Sequence, residues 1–171
     1  MKDAIECFAD HIVETNFSDI PDRAIHSAKT FILDTLGVGL AGSTGPYVEE
    51  LLNAYSSASP AELTSRVLGQ RARINSADAA LINGFQIHNS EFDCVHEEAV
   101  IHTMTVLLAV LLADADRRGK INGIELLKSA ILGVDVACNL GVACTSGLQF
   151  FRPATAGAFA GVAAVGSARG Y

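Results

Sequence analysis

The sequence predicts an all-α helical bundle. Three observations predict it. Apolar residues recur at helical spacing along most of the chain, no strand-length alternation or internal repeat interrupts them, and the hydrophobic half of the composition contains few aromatics and no Trp. A core drawn from Ala, Leu, Val and Ile suits helices that pack closely.

At 171 residues the chain is one domain by length and can bury a substantial core. Half of it is hydrophobic and 18% is charged, a balance that excludes disorder. The net charge of −7 supplies no basic stripe for phosphates, so no nucleic-acid partner is expected. A local site for an anionic small molecule is compatible with it. Cys7, Cys94, Cys138 and Cys144 lack any CxxC spacing and read as free thiols in a reducing compartment. The first turn is acidic and has no apolar stretch behind it, so no signal peptide is expected. Uncharged runs such as 99–113 and 153–168 are shorter than the roughly 18 residues of a membrane span. A cytoplasmic protein without a membrane partner is the expectation.

Residues 3–16 place Ile5, Phe8, Ala9, Ile12 and Val13 on one helical face, with Asp3 as cap. Pro21 suits the first turn of a second helix, which carries Ala24, Ile25, Ala28, Phe31, Ile32, Thr35 and Leu36 and runs to Gly42 before Gly45-Pro46. Inside it, Gly37-Val38-Gly39-Leu40-Ala41-Gly42 matches the dinucleotide fingerprint G-x-G-x-x-G. That motif needs a preceding strand and a helix opening after it, whereas here the period before it is helical. These small residues instead predict close approach by a neighbouring helix.

Residues 47–58 read as a short helix, and 66–69 as the single strand candidate. Ser76 and Asp78 start a helix carrying Ala77, Ala80, Leu81 and Phe85. An apolar helix is expected over 99–118, closed by basic residues that suit a helix C-terminus. Asn122 caps a helix over 123–145, with Ile124, Leu127, Ile131, Val134 and Leu140 as its apolar set. Pro153 opens a last helix, rich in Ala and Gly, whose apolar face calls for a packing partner.

The chain is organised around residues 83–104. Three of its five histidines, His88, His96 and His102, lie within fifteen residues there, among Glu91, Asp93, Glu97 and Glu98. Acids and imidazoles on a loop between rigid helices are placed where proton transfer is performed, although a solvated acidic loop has the same composition. Three chemistries compete. His96-Glu97 begins like H-E-x-x-H, but His102 is six residues on, a rotation of about 600° on a helix, so the pair does not share a face and no metal is expected. Cys94 near His96 offers a nucleophile and base without other thiol-hydrolase features. General acid–base catalysis, pairing carboxylate with imidazole, uses more of the loop than either.

The loop resembles the signature of the MmgE/PrpD family, roughly N-G-x-x-x-H-x-x-D-[FY]-D-D-T-H…H-P. It reads here as Asn83-Gly84, His88, Glu91-Phe92-Asp93-Cys94-Val95-His96 and His102-Thr103. Asp34-Thr35-Leu36-Gly37 with Ala41-Gly42 resembles the family's D-T-L-G…A-G helix, and Ser76-Ala77 through Asn83-Gly84 resembles S-A-x-x-A-A-L-x-N-G. Residues 152–157, from Arg152 through Thr155 to Gly157, stand where members show a Gly-aromatic-His…Thr…Gly segment.

The resemblance implies the N-terminal part of a helical domain, 1–171, with the family's α+β domain and a catalytic lysine downstream. It implies a lyase that needs no cofactor and acts on a small polycarboxylate such as 2-methylcitrate. An epimerase of an amino-dicarboxylate and a non-catalytic helical partner-binding remnant are the alternatives. Carried over, Glu91, Asp93, His96 and His102 are the catalytic positions, and His88, Asn83, Arg152 and Thr155 contact substrate. Glu91 replaces the usual Asp, Cys94-Val95 replaces Asp-Thr, and Phe151-Arg152 replaces a histidine region, where Arg152 could clamp a carboxylate. A homodimer, or a missing C-terminal segment, would cover the last helix.

Overall fold

The computed structural model describes residues 2–55, 60–71, 73–145 and 151–171. Helix α1 (Ala4–Glu14) starts at the Asp3 side chain, which accepts the Ile5 N–H, and a capping box with Glu6 closes the turn. A 3-10 turn at Phe17–Asp19 leads into α2 (Asp22–Gly42) and then α3 (Val48–Tyr55). The rest of the expected third helix, 56–58, lies outside the described residues.

The all-α expectation holds, with one small exception. β1 (Thr64–Arg66) and β2 (Arg73–Asn75) pair antiparallel, with Ser65 opposite Ile74. The single strand expected at 66–69 is therefore corrected to a hairpin that starts two residues earlier and has a second arm. Three-residue strands are too short to alternate visibly. The hairpin is tied to the bundle by Asp116, which accepts the Arg66 backbone N–H at 2.7 Å and guanidinium bonds at 2.7–3.1 Å. The Ser65 hydroxyl also donates to the Ala113 carbonyl.

Helix α4 (Ser76–His88) follows, then a loop, α5 (Thr103–Arg118), α6 (Gly123–Ala143) and α7 (Arg152–Arg169). Asn122 caps α6 through a capping box with Glu125, and Pro153 sits in the first turn of α7. The core lies between α5, α6 and α7, built on Leu107, Leu108, Leu111, Ala130, Ala137, Ala160 and Ala164. Asp114 clips α5 to α7, accepting from Arg118 at 2.8 Å and from Arg169 at 2.5 and 2.9 Å.

Two helical faces differ from those expected. In α6 the fully buried face is Ala130, Leu132, Gly133, Val136, Ala137 and Gly141; of the expected set Val134 and Leu140 pack against the core half-buried, and Ile124 is exposed. In α4 it is Ala79, Ile82, Asn83, Gln86 and Ile87, and Leu81 is exposed. Glycines let neighbouring backbones approach at both helices, Gly133 and Gly141 on α6 itself and Gly42 of α2 against α4. The decoy glycines show this directly. A Cβ at Gly42 would overlap the Gln86 carbonyl oxygen, so α2 and α4 touch where the fingerprint forms the C-terminal end of α2. Among the described residues α6 is the helix long and apolar enough to cross a membrane. Lys128 and Asp135 interrupt its uncharged stretches, but a span tolerates two such charges. Its small-residue face packs on α5 and α7.

Candidate functional site

The helix expected over 99–118 starts only at Thr103. Residues 89–102 instead form a loop that folds back on itself. His96 and Ile101 exchange backbone hydrogen bonds at 2.9 and 3.3 Å, and Val100 takes a left-handed conformation at φ 54° to make the reversal. Ala99 and Ile101 are fully buried in the main core and pin the loop. Gly141 of α6 makes room for it, since a Cβ there would come within 2.6 Å of the Ala99 Cβ. Glu91, at φ 48°, turns the chain out of α4.

This fold-back buries Asp93. Its carboxylate is completely inaccessible, and a carboxylate in that position needs partners. His88 Nδ1, at the end of α4, donates to Oδ1 at 3.0 Å. The Thr105 hydroxyl, in the first turn of α5, donates to Oδ2. His102, the residue before α5, brings Nδ1 to 3.2 Å from Oδ2, close enough for a charge contact but off the angle of a hydrogen bond. The two imidazoles meet edge to face, with centroids 4.7 Å apart. Both rings keep partial exposure, 30% for His88 and 23% for His102. Three parts of the chain thus converge on one buried charge.

Beside the cluster, α4 and α5 leave a cleft of about 580 Å³. His88, Glu91 and Thr105 mark its polar end, and Leu81, Phe85 and Val106 line its apolar wall. A small acid fits such a volume, with one end against the His88 imidazole.

The remaining expected site residues are placed differently. Glu91 is exposed at the cleft rim. His96 is exposed, and its Nδ1 accepts the Ala99 N–H at 3.1 Å, so it stabilises the loop reversal. Asn83 is buried, with its amide accepting the Leu68 N–H at 2.8 Å and donating to the Arg66 carbonyl at 3.1 Å. Arg152 donates to the Gly141 and Cys144 carbonyls at the C-terminal end of α6. The Thr155 hydroxyl donates to the Phe151 carbonyl one turn back. Thr105 was not singled out from the sequence. Its signal was a hydroxyl three residues after His102 at the start of an apolar helix.

Cys94 is half-buried, and burial, reinforced by the neighbouring Asp93 charge, pushes its thiol above the usual range. Burial does the same to Cys138 beside Thr103. A thiol held protonated is a poor nucleophile, which weakens the cysteine chemistry weighed from the sequence.

The family profile described as the MmgE/PrpD N-terminal domain matches residues 6–171. The chain belongs to the MmgE/PrpD family. Its similarity to individual members agrees. It is 34% identical to human cis-aconitate decarboxylase over 140 residues, covering 80% of this chain and 29% of that protein. It is 31% identical to the cis-aconitate decarboxylase-like protein oryM of Aspergillus oryzae over 138 residues, covering 77% and 28%. It is 30% identical to cis-aconitate decarboxylase of Aspergillus terreus over 129 residues, covering 73% and 26%. The chain spans less than a third of the length of these MmgE/PrpD relatives. Their association with lyase chemistry agrees with a lyase-type family.

Proposed function

We propose that these residues form the proton-transfer half of a lyase acting on a small polycarboxylate of the cis-aconitate type. The observation that carries the reading is the buried Asp93 carboxylate held between His88, His102 and Thr105 at the polar end of an accessible cleft. Decarboxylation of such an acid breaks a carbon–carbon bond, releases CO2 and requires a proton at the carbon skeleton. Dehydration requires a proton removed beside a carboxylate and one delivered to the leaving hydroxyl. An imidazole whose orientation and charge are set by a fixed carboxylate can serve either reaction. In this reading His102 exchanges the proton, and Asp93 orients it and balances the imidazolium. His88 faces the substrate's acidic groups from the cleft, and Glu91, exposed at its rim, is a second candidate for proton exchange.

The names of the relatives support cis-aconitate, whereas 2-methylcitrate rests on the sequence resemblance alone. The free Cys7, Cys94, Cys138 and Cys144 support a reducing, cytoplasmic setting.

Incubating the protein with each acid in D2O and following the products by 1H NMR tests the reading. Loss of CO2 with deuterium incorporated at the product carbon is the expected result with cis-aconitate, and loss of water identifies a dehydratase. Deuterium exchange without either loss would move the reading to an epimerase. Neither exchange nor binding would leave a non-catalytic helical module.

A further inference from the structure

We propose that His88, Asp93 and His102 also form a binding site for a divalent transition-metal ion, with Zn2+ as its simplest occupant. One ligand atom from each of the three lies within 4.8 Å of the others. His88 Nδ1 and His102 Nδ1 approach different oxygens of the same carboxylate, at 3.0 and 3.2 Å. Two donors held about 2.1 Å from a tetrahedral ion stand about 3.4 Å apart, so small side-chain rotations bring these three onto one centre. Two imidazole nitrogens with one carboxylate oxygen suit zinc, cobalt or ferrous iron rather than magnesium or calcium.

A second observation points the same way. His102 Nδ1 is buried and makes no hydrogen bond, although it faces the Asp93 carboxylate. A buried polar nitrogen without a partner is uncommon, and an ion at the centre of the three side chains would satisfy it. The outer support is in place too. Thr105 donates its hydroxyl to Asp93 Oδ2, leaving Oδ1 for the metal and fixing the carboxylate's orientation. The cleft lined by His88, Glu91 and Thr105 gives the ion an entry path and leaves room for exchangeable ligands.

Spacing in the sequence offers His96 with His102 as a metal pair, not this set. The loop reversal removes His96 and substitutes Asp93. An ion on these residues would occupy the nitrogens that proton transfer needs, and so would act as an inhibitor. That consequence rests on the proposed function; the binding itself does not.

The test is a Zn2+ titration of the wild-type protein followed by imidazole 1H–15N NMR. The expected result is a selective change at His88 and His102, with His11 and His26 unmoved. His102→Gln, checked for fold by circular dichroism, should weaken binding more than about 100-fold, and Thr105→Val by about 10-fold. Unmoved His88 and His102 rings in zinc excess would overturn the proposal. So would binding lost on substituting Cys7 or Cys144 rather than His102. Zinc bound at His88 and His102 without inhibiting turnover would retain the metal site and overturn the proton-transfer reading. Turnover intact with no zinc bound would overturn the metal site alone.

Discussion

His88 Nδ1 stands 3.0 Å from Asp93 Oδ1, joining the last residue of one helix to a buried carboxylate five residues further along the chain. The contact depends on the turn at Glu91 and on the loop reversal at Val100, both in left-handed backbone. It sets the His88 imidazole, with the buried Asp93 carboxylate behind it, at the polar end of the cleft between α4 and α5.

Asp93→Asn keeps the shape of that contact and removes its charge. Turnover of polycarboxylate should fall by about 10²–10⁴-fold, the usual worth of a positioned acid or base. The amide can still accept from Thr105, so the far-ultraviolet circular dichroism should remain native. Turnover within about threefold of wild type would show that the charge does not serve the chemistry.

Glycine positions separate packing from flexibility. Gly42→Ala places a methyl group on the Gln86 carbonyl and should destabilise the fold by about 1–3 kcal/mol or more, since backbone cannot yield cheaply. Gly37→Ala, on the same helix, meets nothing within 4 Å and should stabilise by up to about 1 kcal/mol. Urea denaturation of the two variants gives both values, and equal effects would contradict the α2–α4 contact.

Asp116 carries a pH dependence. Its hydrogen bonds from the Arg66 side chain and backbone hold its carboxyl below the usual range, against a smaller opposing effect of burial. A lowered folded pKa means that the stabilisation is fully present above the ordinary aspartate value of about 4 and is lost as pH falls through the lower folded value. Asp116→Asn should cost about 1 kcal/mol at neutral pH, discounted because Arg66 is largely exposed. The stability difference between wild type and variant should shrink on acidification. A difference that does not change with pH would place the effect elsewhere.

Cys94 offers a chemical probe of the same loop. Burial first, and the Asp93 charge second, hold its thiol protonated. At neutral pH iodoacetamide should label the exposed Cys7 and Cys144 well before Cys94. Asp93→Asn should then speed labelling of Cys94 in a folded protein. Mass spectrometry of timed digests reads both rates, and early labelling of Cys94 would mean that the loop does not pack on the core as described.

Most helix limits were legible because their ends carry chemistry. Asp3, Asn122 and Pro153 mark starts that the structure places within a residue, and Gly42 marks an end. The start of α5 was not legible. Its apolar run continues without a break through Ala99 and Ile101, which are buried as loop rather than as helix. The reversal that separates them is made by Val100, a β-branched residue that propensity would not place in left-handed backbone. The candidate site shows the same division. Composition located the acid–imidazole loop, but only the reversal decides that His88 and His102 reach Asp93 while His96 turns to the Ala99 N–H.

The most direct test of the central claim is a cis-aconitate titration of the wild-type protein, observed at the five histidine rings. The account predicts saturable shifts at His88 and His102, with His11 and His26 unmoved, and loss of those shifts in Asp93→Asn. Shifts confined to His11 and His26, or none in a protein shown to be folded, would contradict the claim that Asp93, His88 and His102 form the substrate site.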